Sequence, residues 1–151
     1  MPSGADGPPG RAVRLRASLP LPVAPETAWR TWSVVEDWPR WDATRSRDAR
    51  WLEGAPWTVG ARLRIGRRPG RFDCELVEVD PPRRVTWVGA FAGIRGRHSF
   101  GFLPHAGGCL MVSDETFSGP GANLLAPVIR WAWSRQMGAF REWARAADDR
   151  S

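Results

Sequence analysis

The stretch HSFGFLPHAGGCLMVSDE, residues 98–115, decides the fold. Apolar and polar residues alternate on both sides of His105-Ala106-Gly107-Gly108, the pattern of two strands joined by a tight, glycine-rich turn. With those four residues as the loop, Pro104 faces Cys109. Counting outward sets Phe102 opposite Met111, Phe100 opposite Ser113 and His98 opposite Glu115. Arg97, Ser99, Asp114 and Thr116 then point to the other side of the sheet. The aromatic side is the inner one, so a histidine and a glutamate meet on an otherwise apolar wall. A slip of one residue would put them on opposite faces.

The two strands are predicted over Gly96–Leu103 and Leu110–Phe117. Upstream, Phe72–Val79 and Arg84–Phe91 flank Asp80-Pro81-Pro82-Arg83, a strong turn signal, and make a second hairpin. Its register sets Leu76 opposite Trp87 and Phe72 opposite Phe91, and the Leu76-Val77 doublet, which breaks the alternation, marks a bulge. Further strands fall over Arg47–Glu53 and Ala61–Gly66. The first strand is Ala12–Leu19, where Val13, Leu15, Ala17 and Leu19 alternate with Arg14, Arg16 and Ser18.

Helical rhythm appears in two places. Pro25 suits a first helical position and Trp29 and Trp32 lie three apart, while Pro39 forces a second short helix or turn around Glu36–Trp41. The one long helix starts at Asn123 or Pro127 and runs to Ala147, with Ile129, Trp133, Met137, Phe140 and Ala144 forming an apolar stripe. Trp131 lies off that stripe and is read as exposed. Strand, two short helices, about six strands and a long helix make an α+β chain, a curved antiparallel sheet of about seven strands wrapped around its C-terminal helix.

The 151 residues fit one domain, assigned to residues 12–147, between an N-terminal tail over 1–11 and a short tail over 148–151. The formal net charge is +6, and all 22 basic residues are arginine. They are scattered in ones and twos rather than gathered on one helix, which argues against nucleic acid as a partner. Cys74 and Cys109 lie in separate strands without CxxC spacing and read as reduced, buried thiols. The N-terminus lacks an apolar run, and no segment has the length of a membrane span, so a cytoplasmic protein without stable membrane insertion is expected. No signal of oligomeric state is present. Ten tryptophans and six phenylalanines, with no tyrosine, are more than a core of this size needs, and some are expected to line a space for a bulky apolar ligand.

VAPETAW (Val23–Trp29), DWPRW (Asp37–Trp41), ELVEVDPPRRVTW (Glu75–Trp87), HSFGF (His98–Phe102), DETFSG (Asp114–Gly119) and the closing helix together resemble the START-like, or SRPBCC, superfamily. The resemblance covers nearly all of Ala12–Ala147. It implies the helix-grip fold, with a deep cavity between sheet and long helix that binds hydrophobic small molecules. Members include carriers of lipids and quinones, receptors, and cyclases that fold polyketide chains, with no shared catalytic set. Some aromatase/cyclase members use cavity tyrosines, which this chain lacks.

On that basis the ligand wall is expected to comprise Trp41, Phe72, Trp87, Phe91, Phe100, Phe102, Met111, Ser113, Phe117, Trp133, Met137 and Phe140. His98 and Glu115 are the candidate catalytic pair, since an imidazole beside a carboxylate in a partly desolvated wall can move a proton in enolisation, ring closure or dehydration. The competing reading is a satisfied polar bridge. His105, the other histidine, sits in the turn, so no metal is expected, and no cofactor. No Gly-x-Ser-x-Gly elbow or phosphate loop is present, and GRRPGR (Gly66–Arg71) reads as a solvated hairpin. Two functions fit: a cyclase/dehydratase-like enzyme of secondary metabolism, or a non-catalytic carrier or sensor of a lipid, quinone or polycyclic metabolite. The polar pair in an apolar wall favours the enzyme.

Overall fold

The computed structural model describes residues 11–42 and 48–150. The expected N-terminal tail, apart from residue 11, lies outside the described residues, as does Arg47 at the start of the expected second strand. The strands are β1 (Val13–Leu21), β2 (Ala49–Glu53), β3 (Arg62–Ile65), β4 (Phe72–Asp80), β5 (Arg84–Phe91), β6 (Ile94–His105) and β7 (Gly108–Ser118). Short helices α1 (Pro25–Trp32) and α2 (Trp38–Trp41) follow β1, and α3 (Ala122–Asp148) closes the chain. All seven strands form one antiparallel sheet in the order β1-β7-β6-β5-β4-β3-β2. This is the α+β helix-grip architecture.

Prolines account for two differences from the expected strand ends. β1 continues through Pro20 to Leu21 because it is an edge strand, where a residue with no N–H costs no ladder bond. β6 continues through Pro104 because the β5 ladder reaches only Phe100, leaving that end of β6 an edge on one side. The turn of the final hairpin therefore tightens to Ala106-Gly107 without changing the pairing.

The β4–β5 hairpin turns through three residues, with Asp80 paired to Arg84. A shorter turn alone would shift the register by one and send Leu76 to the outer face. The bulge between Leu76 and Glu78 restores it: Val79 faces Val85 on one side of the bulge and Leu76 faces Trp87 on the other. Both hydrophobic pairs thereby stay inward. The ladder ends at Cys74 opposite Gly89, short of the expected Phe72–Phe91 pair.

Helix α3 begins before Pro127, which lies within it, and is preceded by Gly121 in the left-handed conformation (φ 75°). Trp133, Met137, Phe140 and Ala144 are buried as the stripe predicts, and Gln136 is buried with them. Trp131 is 58% exposed, with Arg135 5.4 Å above its ring.

Two residues give sharp tests of this architecture. Any side chain at Gly101 of β6 would strike the carbonyl oxygen of Arg83, since the chain there closes against β6 through Phe102 N–H donating to Pro82 O at 2.8 Å. Gly101→Ala is expected to cost about 1–3 kcal/mol or more, read as a lower urea midpoint at unchanged slope. Burial, aided by the charge of Glu26, pushes the Cys109 thiol up to about 11. The folded state thus favours the neutral thiol, so this stability is complete below the unfolded thiol's value and is lost as pH rises to about 11. Thermal melts from pH 8 to 11 are expected to show that loss in the wild type and a smaller one in Cys109→Ala.

Candidate functional site

The tryptophans do not chiefly line a ligand space. Trp29, Trp32, Trp38, Trp51, Trp57 and Trp87 form one connected cluster with ring centroids 5.0–6.5 Å apart. Trp32 also packs on Phe100 at 4.9 Å and Phe102 at 6.1 Å, so α1 and α2 plug the sheet's concave side from one end. Two indole N–H groups donate to backbone carbonyls: Trp38 to Trp32 O at 2.7 Å and Trp57 to Ser33 O at 2.8 Å. Behind the plug a chamber of only about 20 Å³ remains, enough for roughly one water.

A larger cavity, about 340 Å³, lies toward the other end, between α3 and strands β4 to β7. Its floor is a pair of glycines, Gly89 on β5 opposite Gly96 on β6, where the sheet carries no side chains to fill the space. Phe72, Trp87, Phe91 and Phe117 form walls from the sheet. Leu125, Val128, Ile129, Ala132, Trp133 and Gln136 cover it from α3. His98 and Glu115 lie on its surface.

The expected pairing of these two residues is present. His98 sits between Trp87 on β5 and Glu115 on β7, so three strands hold it in one row. Its Nε2 lies 2.7 Å from Ser113 Oγ and its Nδ1 3.8 Å from Glu115 Oε2. Trp133 stacks on the imidazole at 5.0 Å and 20°, and Phe100 lies at 4.1 Å. The His98 side chain is 6% exposed and that of Glu115 19%, so the carboxylate is the more accessible group. If Nδ1 carries the proton, Nε2 accepts from the Ser113 hydroxyl and the imidazole N–H points toward Glu115.

Serine, histidine and glutamate thus stand in the order of a hydrolase triad, but the serine faces the wrong way. Ser113 is buried and opens on the 20 Å³ chamber, which has no room for a substrate carbonyl. Its geometry suits holding the imidazole rather than attacking a substrate. Asp42, Gln136 and Trp41 share that chamber, and the Trp41 indole N–H is buried without a hydrogen-bond partner among the described residues.

Of the residues expected on the ligand wall, Phe72, Trp87, Phe91, Phe117 and Trp133 line the 340 Å³ cavity together with His98 and Glu115. Trp41, Phe100, Met111, Ser113 and Met137 surround the small chamber instead. Phe102 and Phe140 line neither; they are fully buried, 6.0 Å apart, and Trp41 packs on Phe140 at 5.1 Å. Inward alternation places a side chain on the concave face but does not say whether that stretch is filled, and the tryptophan plug fills it here. Half of the lining residues not anticipated are small, Gly70, Gly89, Ala90, Gly96 and Ala132; the others are Ile94, Leu125, Val128, Ile129 and Gln136. The glycines in otherwise β-forming runs were the available signal, since a strand glycine marks close approach or open space.

Among the described residues, no three His, Cys, Asp or Glu side chains gather as a metal site. No described helix is long and apolar enough to cross a membrane.

Solved structures share the fold at low sequence identity. Norcoclaurine synthase from Thalictrum flavum, in complex with dopamine and hydroxybenzaldehyde, aligns with a TM-score of 0.70 at 13% identity, over 91% of this chain and 88% of that one. Ara h 8.0201 aligns at 0.74 and 12%, over 90% and 99%. A putative uncharacterised protein from Rhizobium leguminosarum aligns at 0.70 and 16%, over 91% and 97%. No curated protein matches the sequence significantly. The family described as polyketide cyclase / dehydrase and lipid transport matches residues 12–145. With the helix-grip sheet and its apolar cavity already in place, that match shows that the chain belongs to the polyketide cyclase/dehydrase and lipid-transport family of the START-like superfamily.

Proposed function

We propose that this chain is a cofactor-independent enzyme of the cyclase/dehydratase type that binds a hydrophobic carbonyl compound in the 340 Å³ cavity and moves protons with Glu115 and His98. The observation that carries the reading is the placement of a carboxylate and an imidazole side by side on a wall otherwise almost wholly apolar. Glu115, the more accessible of the two, removes a proton from the carbon beside the substrate carbonyl, leaving an enolate. The resulting carboxylic acid returns that proton to a β-hydroxyl, which departs as water while the carbon–carbon double bond forms. His98 touches the same cavity. Held by Ser113 and by Trp133, it presents Nδ1 toward the carboxylate and steadies its charge in the dry wall. Enclosure between Trp87 and Trp133 adds orientation, which by itself lowers the barrier of an intramolecular closure.

A cytoplasmic setting in secondary metabolism accords with this chemistry. The non-catalytic carrier remains the second reading, favoured by one observation: both edges of the imidazole already face protein groups, as in a structural bridge.

Proton transfer can be read on a generic probe. 2-Tetralone has an acidic C–H beside its carbonyl, and its hydrogen–deuterium exchange can be followed by NMR. The wild type is expected to accelerate exchange, Glu115→Gln to lose about 10²–10⁴-fold of that acceleration while still binding the probe, and His98→Ala to lose a smaller part. Binding with no acceleration in the wild type would sink the enzymatic reading and leave the carrier.

A further inference from the structure

The chain carries 22 arginines, yet none of the described ones lines the 340 Å³ cavity. The polar side chains there are Glu115, His98 and Gln136. Any positive charge on His98 lies next to the carboxylate of Glu115, 3.8 Å away, and is offset by it. Among the described lining residues an anionic ligand would find no cation of its own and would sit beside a like charge in an apolar wall, at a cost in both repulsion and desolvation. A carboxylate has four acceptor sites, so Glu115 can take a hydrogen bond from a ligand besides its protein contacts.

The floor adds a shape constraint. A Cβ at Gly96 would lie 3.3 Å from Glu115 Oε1, so the bare glycine keeps that oxygen clear on the strand side. With Gly89 directly opposite, the floor of the slot between sheet and α3 is bare backbone here, and Trp133 lines the same cavity. We infer that the cavity selects planar aromatic ligands that present a hydroxyl or amine donor to Glu115, and rejects ligands carrying a carboxylate. This rests on the cavity being the ligand site, as proposed above. It rules out free fatty acids as cargo and gives the ligand a polarity that the family alone does not specify.

Three matched probes test it by isothermal titration calorimetry on the full chain at pH 7.5: 2-naphthol, 2-methoxynaphthalene and 2-naphthoic acid. In the wild type 2-naphthol is expected to bind about tenfold tighter than the methoxy compound, which has no donor, and on the order of 100-fold tighter than the naphthoate. Glu115→Gln is expected to shrink both differences to about threefold or less by removing the charge. Gly96→Val, which keeps the carboxylate but fills the floor, is expected to weaken all three probes. Naphthoate binding as tightly as naphthol in the wild type would overturn the selectivity while leaving the cavity as the ligand site. Unchanged binding in Gly96→Val would overturn the slot. Failure of all three probes to bind the wild type would overturn the ligand site and this inference together.

Discussion

Strand β6 is paired on both sides from Arg95 to Phe100, and the rest of the molecule depends on that double register. Trp87, His98 and Glu115 form one row across three strands. Because side chains alternate from face to face, sliding β6 by one residue would turn His98, Phe100 and Phe102 outward and bring Arg97 and Ser99 in. The hydrophobic cost of exposing three inward residues fixes the pairing, and the pairing fixes the site. The bulge in β4 serves the same end, absorbing the residue by which the three-residue turn would otherwise displace Leu76 from Trp87.

The concave face of the sheet is divided into a solid part and an open part. Tryptophans from α1, α2 and the segment before β3 fill one end to the point where about 20 Å³ is left. At the other end Gly89 and Gly96 withdraw side chains from the floor, and α3 bridges the gap with aliphatic residues. His98 stands at the boundary, its Nε2 side toward the closed chamber through Ser113 and its Nδ1 side toward Glu115 and the open cavity. An imidazole clamped in this way gives up rotational freedom in exchange for a defined direction.

Charge is separated between the two faces of the sheet. On the outer face Arg14 meets Asp114 at 2.8 Å and Arg64 meets Asp73 at 2.7 Å, and each arginine, by hydrogen bond first, holds its partner's carboxyl below the usual range. The exposed Arg14–Asp114 pair adds little stability, but both pairs occupy arginines on the outside while the cavity keeps an acid.

Alternation, turn residues and helical spacing were enough to determine the fold class, the two hairpins, the bulge at Val77 and the facing of His98 and Glu115, because each follows from neighbours close in sequence. Two strand ends were misread at Pro20 and Pro104, since proline's missing N–H matters only if a strand lies alongside, and that is decided by the sheet. The division of the aromatic face between core and cavity was likewise beyond local pattern. Phe102 and Phe117 both point inward, yet one is packed under Trp32 while the other looks onto open space. Sequence alone determined which residues turn toward the interior. Only the tertiary structure decided which of them meet another side chain there and which meet a void, because that depends on helices arriving from distant parts of the chain.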